Sequence, residues 1–316
     1  MRNFLIKIGA FIAIVLVFLL LVEIKTRHDD HSYLKLKKEY LDRQADSIAV
    51  LIVGPSHTYR AIDPGKITLN TLSLAMPNSA FNVDYALFEL AMKTVRPRYV
   101  IFDLSRGYLD KENSGAWFND RKLNYYFGLR EGPFELKNLF LARYPLYDEL
   151  LKPPRPDLYN RWGFKSVVTK KEDKFKRINY DLEIVRKSKK LQKLKTQLKN
   201  KMDPAVRQRN VERLKRAIAR SRSIGAQVVL INPPKFFIYN DAFNEEIGDI
   251  YGPITDSLVQ DSGVLYWNLE KMGEDDPTNF YNLSHMSLKG AELFTAEVDR
   301  RLLEMEQDSP GSKKKM

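Results

Sequence analysis

The segment Phe4–Ile24, FLIKIGAFIAIVLVFLLLVEI, constrains this chain most, because its centre from Ile8 to Val22 carries no charge. A helix needs about 20 apolar residues, at about 1.5 Å each, to cross the hydrocarbon layer. Lys7 and Glu23 stand at the ends, where a side chain reaches the headgroups. The chain continues V-E-I-K-T-R, without the small-residue pattern of a cleavage site, so the sequence predicts an uncleaved anchor over residues 1–24. Arg2, Lys7 and the amino terminus precede the helix, whereas Lys25 and Arg27 are offset by Glu23, Asp29 and Asp30. That bias favours a single-pass protein with its domain on the extracytoplasmic side.

Beyond the anchor, 25–47 reads as a charged juxtamembrane stalk with helical patterning. His28-Asp29-Asp30-His31 within it has metal-ligand chemistry, but four polar residues in a linker read first as a solvated stretch, and no metal site is assigned. The domain, 48–305, alternates strand-like and helix-like segments. Ile48–Val53 (IAVLIV), Tyr99–Leu104 (YVIFDL) and Ala226–Ile231 (AQVVLI) are short apolar runs rich in β-branched residues, the pattern of strands buried on both faces. Leu69–Ala75 and Gly263–Trp267 are weaker strands. Helical periodicity spans Ala80–Thr94, with Phe81, Tyr85, Phe88 and Met92 on one face, and returns from Leu288 to Leu303. Strands separated by helices imply a three-layer α/β/α fold with a mostly parallel, flavodoxin-like sheet. Ligands of such sheets sit beyond the carboxyl ends of the strands.

The interval of about 107–225 reads as an insertion, first aromatic-rich (Trp117, Phe118, Tyr125, Tyr126, Phe127), then proline-rich from Lys152, then basic. Between Lys165 and Arg222, 21 Lys/Arg face six Asp/Glu, an excess larger than the whole-chain charge of +12, so the rest of the chain is slightly acidic. The basic character is therefore local. It reads either as a solvated helical face or as a surface for anionic headgroups or an anionic polymer. Nucleic-acid binding would need the domain in the cytoplasm, against the favoured orientation. With no cysteine, the chain has no disulfide, thiolate metal site or cysteine nucleophile. The tail 306–316 reads as a disordered end.

Strand one runs into Gly54-Pro55-Ser56-His57-Thr58. A serine after a buried strand and a tight turn, opening a helix, stands at the sheet's carboxyl edge beside the N–H groups of a helix start. Serine is also a common helix cap. A second segment, Phe280-Tyr281-Asn282-Leu283-Ser284-His285, weights the reading towards chemistry. It sets a histidine just before the last helix, the arrangement a Ser–His acyl-transfer site requires. His57 and His285 are the domain's only histidines.

These two motifs resemble the SGNH hydrolase superfamily. Its G-D-S-x-S block corresponds to Gly54–Thr58, and its D-x-x-H block to Asn282–His285 with the small residues Gly290-Ala291 behind. Together with the anchor, the G-x-S-H variant is similar to extracytoplasmic SGNH-like proteins of cell-envelope acylation, such as DltD-like proteins and those of alginate acetylation. The resemblance implies Ser56 as nucleophile, His285 as general base and no cofactor. It also implies a multi-spanning membrane O-acyltransferase as partner and an envelope glycan or polymer as substrate.

Two departures stand out. Asn282 occupies the place of the acidic triad member, which leaves Asp275, Asp276 or a backbone carbonyl as other ways to orient the ring. The family's G-x-N-D block falls at Asp103-Leu104-Ser105-Arg106 and lacks its asparagine, so Ser105 and Asn78 are the candidate oxyanion or substrate-binding donors. His57 reads as a substrate contact or a loop anchor. The expected function is an O-acyltransferase or esterase. The alternative is a catalytically impaired binding or assembly subunit.

Overall fold

The computed structural model describes residues 1–113, 121–130, 140–142 and 154–308. Trp117, Phe118, Lys152 and residues 309–316 lie outside them, and the tail read from residue 306 begins later, because the last helix continues to Asp308. Helix α1, Arg2–Asp29, carries the predicted anchor and is long and apolar enough to cross a membrane. Its apolar residues from Phe4 to Leu21 are exposed, and Val22 and Glu23 are the first that the domain buries.

Five parallel strands form the central sheet in the order β2-β1-β3-β4-β5. They are β1 Val50–Val53, β2 Thr71–Ser73, β3 Tyr99–Asp103, β4 Gln227–Asn232 and β5 Leu265–Asn268. β1 and β3 are buried along their whole length, as the unbroken apolar runs require when helices cover both faces. The chain first steps from β1 outward to β2, then returns past β1 to β3 and continues to β4 and β5. Right-handed crossovers therefore put the first connection and the later ones on opposite faces, giving the three-layer α/β/α fold. α3 (Ser56–Ala61) accordingly packs with the final helix, Leu288–Asp308, and α4 (Phe81–Ala91) packs with the helix Pro204–Ser223. The connections that leave β1 and β3 part to opposite faces at the switch in strand order, where the crevice for a ligand opens in such sheets.

Two readings of the sequence change. The residues read as a stalk contain α2, Tyr33–Gln44, whose Leu34 and Leu41 join the hydrophobic core. Its Lys37 is 2% exposed and donates to the carbonyls of Ser73 and Ala75, both at 2.7 Å. Three lysines and an arginine gave this helix a solvated look, but only its outer face is solvated. The insertion is also shorter than 107–225. Pro204–Ser223 is the sheet's own β3–β4 crossover helix, with Val206, Leu214, Ala217 and Ile218 buried and its charges on the outer face. Much of that charge is paired. Arg207 meets Asp110, Arg209 and Arg213 meet Glu112, and in the preceding helix, Lys189–Lys201, Lys195 meets Glu245.

Candidate functional site

Gly54 closes β1 and lets its backbone approach β3. A methyl group there would sit 2.8 Å from the Asp103 Cβ and 2.9 Å from the Thr58 hydroxyl. Asp103 is fully buried and fastens this corner, accepting from the Thr58 hydroxyl and, at 2.6 Å, from the Ser105 N–H. Burial pushes its carboxyl up, against the pull of the nearby Lys235 ammonium. The turn delivers Ser56 as the first residue of α3, where the opening N–H groups of a helix have no intrahelical acceptor.

Opposite it, a short hairpin presents the histidine. β6, Phe280–Asn282, pairs antiparallel with β7, His285–Met286, just before the final helix. Gly290 permits this approach, because a methyl group there would lie 2.1 Å from the Asn279 carbonyl oxygen. That contact explains the small residue behind the histidine.

His285 Nε2 lies 2.9 Å from Ser56 Oγ, and His285 Nδ1 lies 3.1 Å from Asn282 Oδ1. The Asn282 amide is oriented independently, since its oxygen also accepts from the Ser284 N–H at 2.9 Å. The Asn282 oxygen is a fixed acceptor beside Nδ1, with the Ser284 hydroxyl also 3.1 Å away, and it favours the neutral tautomer that carries its proton on Nδ1 and turns an Nε2 lone pair to the serine. Asn282 thus orients the ring as a carboxylate would, without supplying a charge. Neither aspartate replaces it. Asp276 is engaged by Thr278 and by Lys289 at 2.7 Å, and Asp275 is exposed.

The ring's face is also held. Tyr281 stacks on His285 with centroids 5.6 Å apart and 16° between planes, and Arg60 lies 5.2 Å over the Tyr281 ring. Arg60 is in turn fixed by Glu172 at 3.0 Å. Although burial opposes it, the Lys165 ammonium and the hydrogen bonds of Thr169 hold the Glu172 carboxyl down to about 2. None of Arg60, Tyr281 or Glu172 stands out in the sequence. Their only signal is proximity to the two motifs or, for Glu172, an acidic pair with Asp173 in a basic run.

Ser56 opens onto a cavity of about 770 Å³ whose walls include His57, Asn78, Arg106, Lys111, Asn113 and Asp203. Asn78 follows β2, is exposed, and takes the left-handed conformation (φ 58°) that asparagine tolerates better than most residues. Its carbonyl accepts from Asn113 at 3.0 Å, and the adjacent Ser79 is tied to the buried Asp84 at 2.9 Å. Ser105 has a different place: it is fully buried and is not part of the cavity wall. The oxyanion role considered for it is therefore not supported by its position, whereas Asn78 does share the cavity with Ser56.

His57 packs with its ring centroid 5.4 Å from that of His285 and 6.3 Å from that of Tyr239. Its Nδ1 is buried and has no hydrogen-bond partner among the described residues. Burial, with the Lys235 charge adding to it, pushes its pKa well below the usual histidine value, so its ring is neutral at pH 7. The stretch at His28–His31 does not behave as a solvated linker throughout. Asp30 is 7% exposed and accepts from Lys122 and Tyr126, both at 2.5 Å.

No protein-family model and no curated protein matches the chain.

Proposed function

We propose that the protein is a membrane-anchored, SGNH-like O-acyltransferase or esterase that works through an acyl-enzyme on Ser56. The observation that carries this reading is the continuous line from Ser56 Oγ to His285 Nε2 and from His285 Nδ1 to Asn282 Oδ1. Its position beyond β1, at the switch in strand order, supports it.

In the first half-reaction, His285 takes the hydroxyl proton as Ser56 Oγ attacks the acyl carbonyl. The bond to the departing alcohol then breaks, and the imidazolium returns the proton to that oxygen. In the second, a sugar hydroxyl or water gives its proton to His285 and attacks the acyl-serine, releasing Ser56 with the proton restored. The N–H groups opening α3 and the Asn78 side chain are the donors available to the transient oxyanion. We assign the domain to the extracytoplasmic side, with an envelope glycan or polymer as acceptor. A multi-spanning membrane O-acyltransferase would carry the acyl group across the bilayer.

Labelling by a fluorophosphonate tests the reading. Wild type should react, Ser56→Ala should not, and His285→Ala should react at least about 10²-fold more slowly. The neutral Asn282 favours a second reading, a binding or assembly subunit. That one gains if wild type resists the probe while Ser56→Ala keeps full function in cells.

A further inference from the structure

The path of the chain out of the membrane fixes which end of the sheet faces the bilayer. α2 follows α1 after only Asp30–Ser32, and its Lys35 ammonium reaches back to the Arg27 carbonyl at 3.0 Å. Tyr33, at its start, packs 5.5 Å from the ring of Tyr59, three residues beyond Ser56. One turn later Lys37 holds the carbonyls at the carboxyl end of β2. Another turn on, Tyr40 meets Asn70, the residue before β2 begins. α2 therefore runs from the site end of the sheet to its opposite end, and the strands return towards the membrane.

The joint between anchor and domain is tight. Glu23 is 3% exposed, and its carboxylate accepts from the Leu141 and Ala142 N–H groups at 3.0 Å and from Arg27 at 2.6 Å. Asp30 is clasped by Lys122 and Tyr126, and Arg27 lies 4.9 Å over Tyr125. Exposed apolar side chains run unbroken to Leu21, with Ile24 the last beyond them, so the domain grips the helix where the hydrocarbon ends. Phe140, 45% exposed beside this grip, suits the headgroup layer, where aromatic side chains concentrate.

We infer that the Ser56–His285 edge of the sheet is held against the bilayer and takes its acyl group from an amphiphile resident in the adjoining leaflet. The substrate part of this inference rests on the acyl-enzyme reading above; the orientation does not. An ester at headgroup depth meets Ser56 without leaving the membrane, and the buried carboxylates at the joint stop the domain from turning away.

The chain has no cysteine, so single-cysteine reporters are clean. Lys111→Cys, at the cavity, and Gln227→Cys, at the exposed amino end of β4, would each carry a fluorophore in full-length protein reconstituted into phosphatidylcholine vesicles. Nitroxide-headgroup lipid should quench the first at least twofold more than the second. Equal or reversed quenching overturns the orientation. A second arm uses an alkyl-tailed fluorophosphonate in the same vesicles or in separate protein-free ones. Labelling at least tenfold faster from the same vesicles is expected, and equal rates overturn the membrane-resident substrate. If a short soluble fluorophosphonate fails to label Ser56, the acyl-enzyme reading falls, and the quenching result still decides the orientation.

Discussion

Replacing Asn282 by aspartate tests the site's least usual feature. The amide oxygen lies 3.1 Å from His285 Nδ1, so a carboxylate there would face the imidazolium directly. An opposite charge at such range raises a histidine's pKa by roughly 1–3. This corresponds to about 1.4–4 kcal/mol of imidazolium stabilisation. If the proton is about half transferred in the transition state, half of that energy appears in the barrier, or a rate gain of roughly 3- to 30-fold. The gain should fall short of the factor of about 10⁴ lost in serine proteases when aspartate becomes asparagine. There the wrong tautomer is part of the damage, whereas here the Ser284 N–H already holds the amide oxygen towards the ring. The assay is the second-order rate of fluorophosphonate labelling from pH 5 to 9, with His285 titrated by NMR in detergent. The limiting rate at high pH should rise, and the midpoint of the profile should move up with the histidine's pKa. A raised pKa with an unchanged or lower limiting rate would refute the assignment of His285 as the base.

Other perturbations follow from the same geometry. Asn78→Gly, which keeps the left-handed backbone, should slow labelling by about 10²-fold while leaving the melting temperature within about 2 °C, as expected for loss of an oxyanion donor; unchanged labelling removes Asn78 from the site. Glu172→Gln should loosen Arg60 and hence the stacked Tyr281, lowering the labelling rate several-fold. Because the Glu172 carboxyl is held down to about 2 from an ordinary 4.5, its stabilisation is complete above pH 4.5 and is lost as pH falls towards 2. The variant's stability should therefore fall less than wild type's across that window, by about 1–2 kcal/mol in denaturant titrations. Burial pulls the Lys37 ammonium from 10.5 down to about 7, so the unfolded chain binds the extra proton between those values. Stability should then rise with pH over that window by up to about 1.4 kcal/mol per pH unit, and Lys37→Met should flatten the rise. Gly290→Ala should lower thermal stability and labelling together, since its methyl group meets the Asn279 carbonyl oxygen at 2.1 Å; a variant of normal stability and reactivity would show that the hairpin is not seated on this glycine.

The parallel sheet was legible because β1, β3 and β4 need continuous apolar runs when both faces are covered, a pattern that survives without knowledge of their partners. Ser56 and His285 were legible because each adjoins a recognisable element end, and the fold brings 229 residues of separation to a 2.9 Å contact. What supports them was not. Arg60, Tyr281 and Glu172 act by stacking and ion pairing across segments far apart in sequence, and no local pattern announces such contacts. α2 was obscured by a related effect. Lys37 occupies a core-facing position because its flexible stem carries the ammonium to two backbone carbonyls, so a residue type that ordinarily marks solvent marks the interior here. Pro204–Ser223 repeats the lesson on the basic side. A helix whose outer face pairs with Asp110 and Glu112 can carry a large positive excess while its inner face closes the sheet. Three arginines of the basic run, Arg207, Arg209 and Arg213, thereby hold one wall of the cavity, residues 110–112, in place beside Ser56.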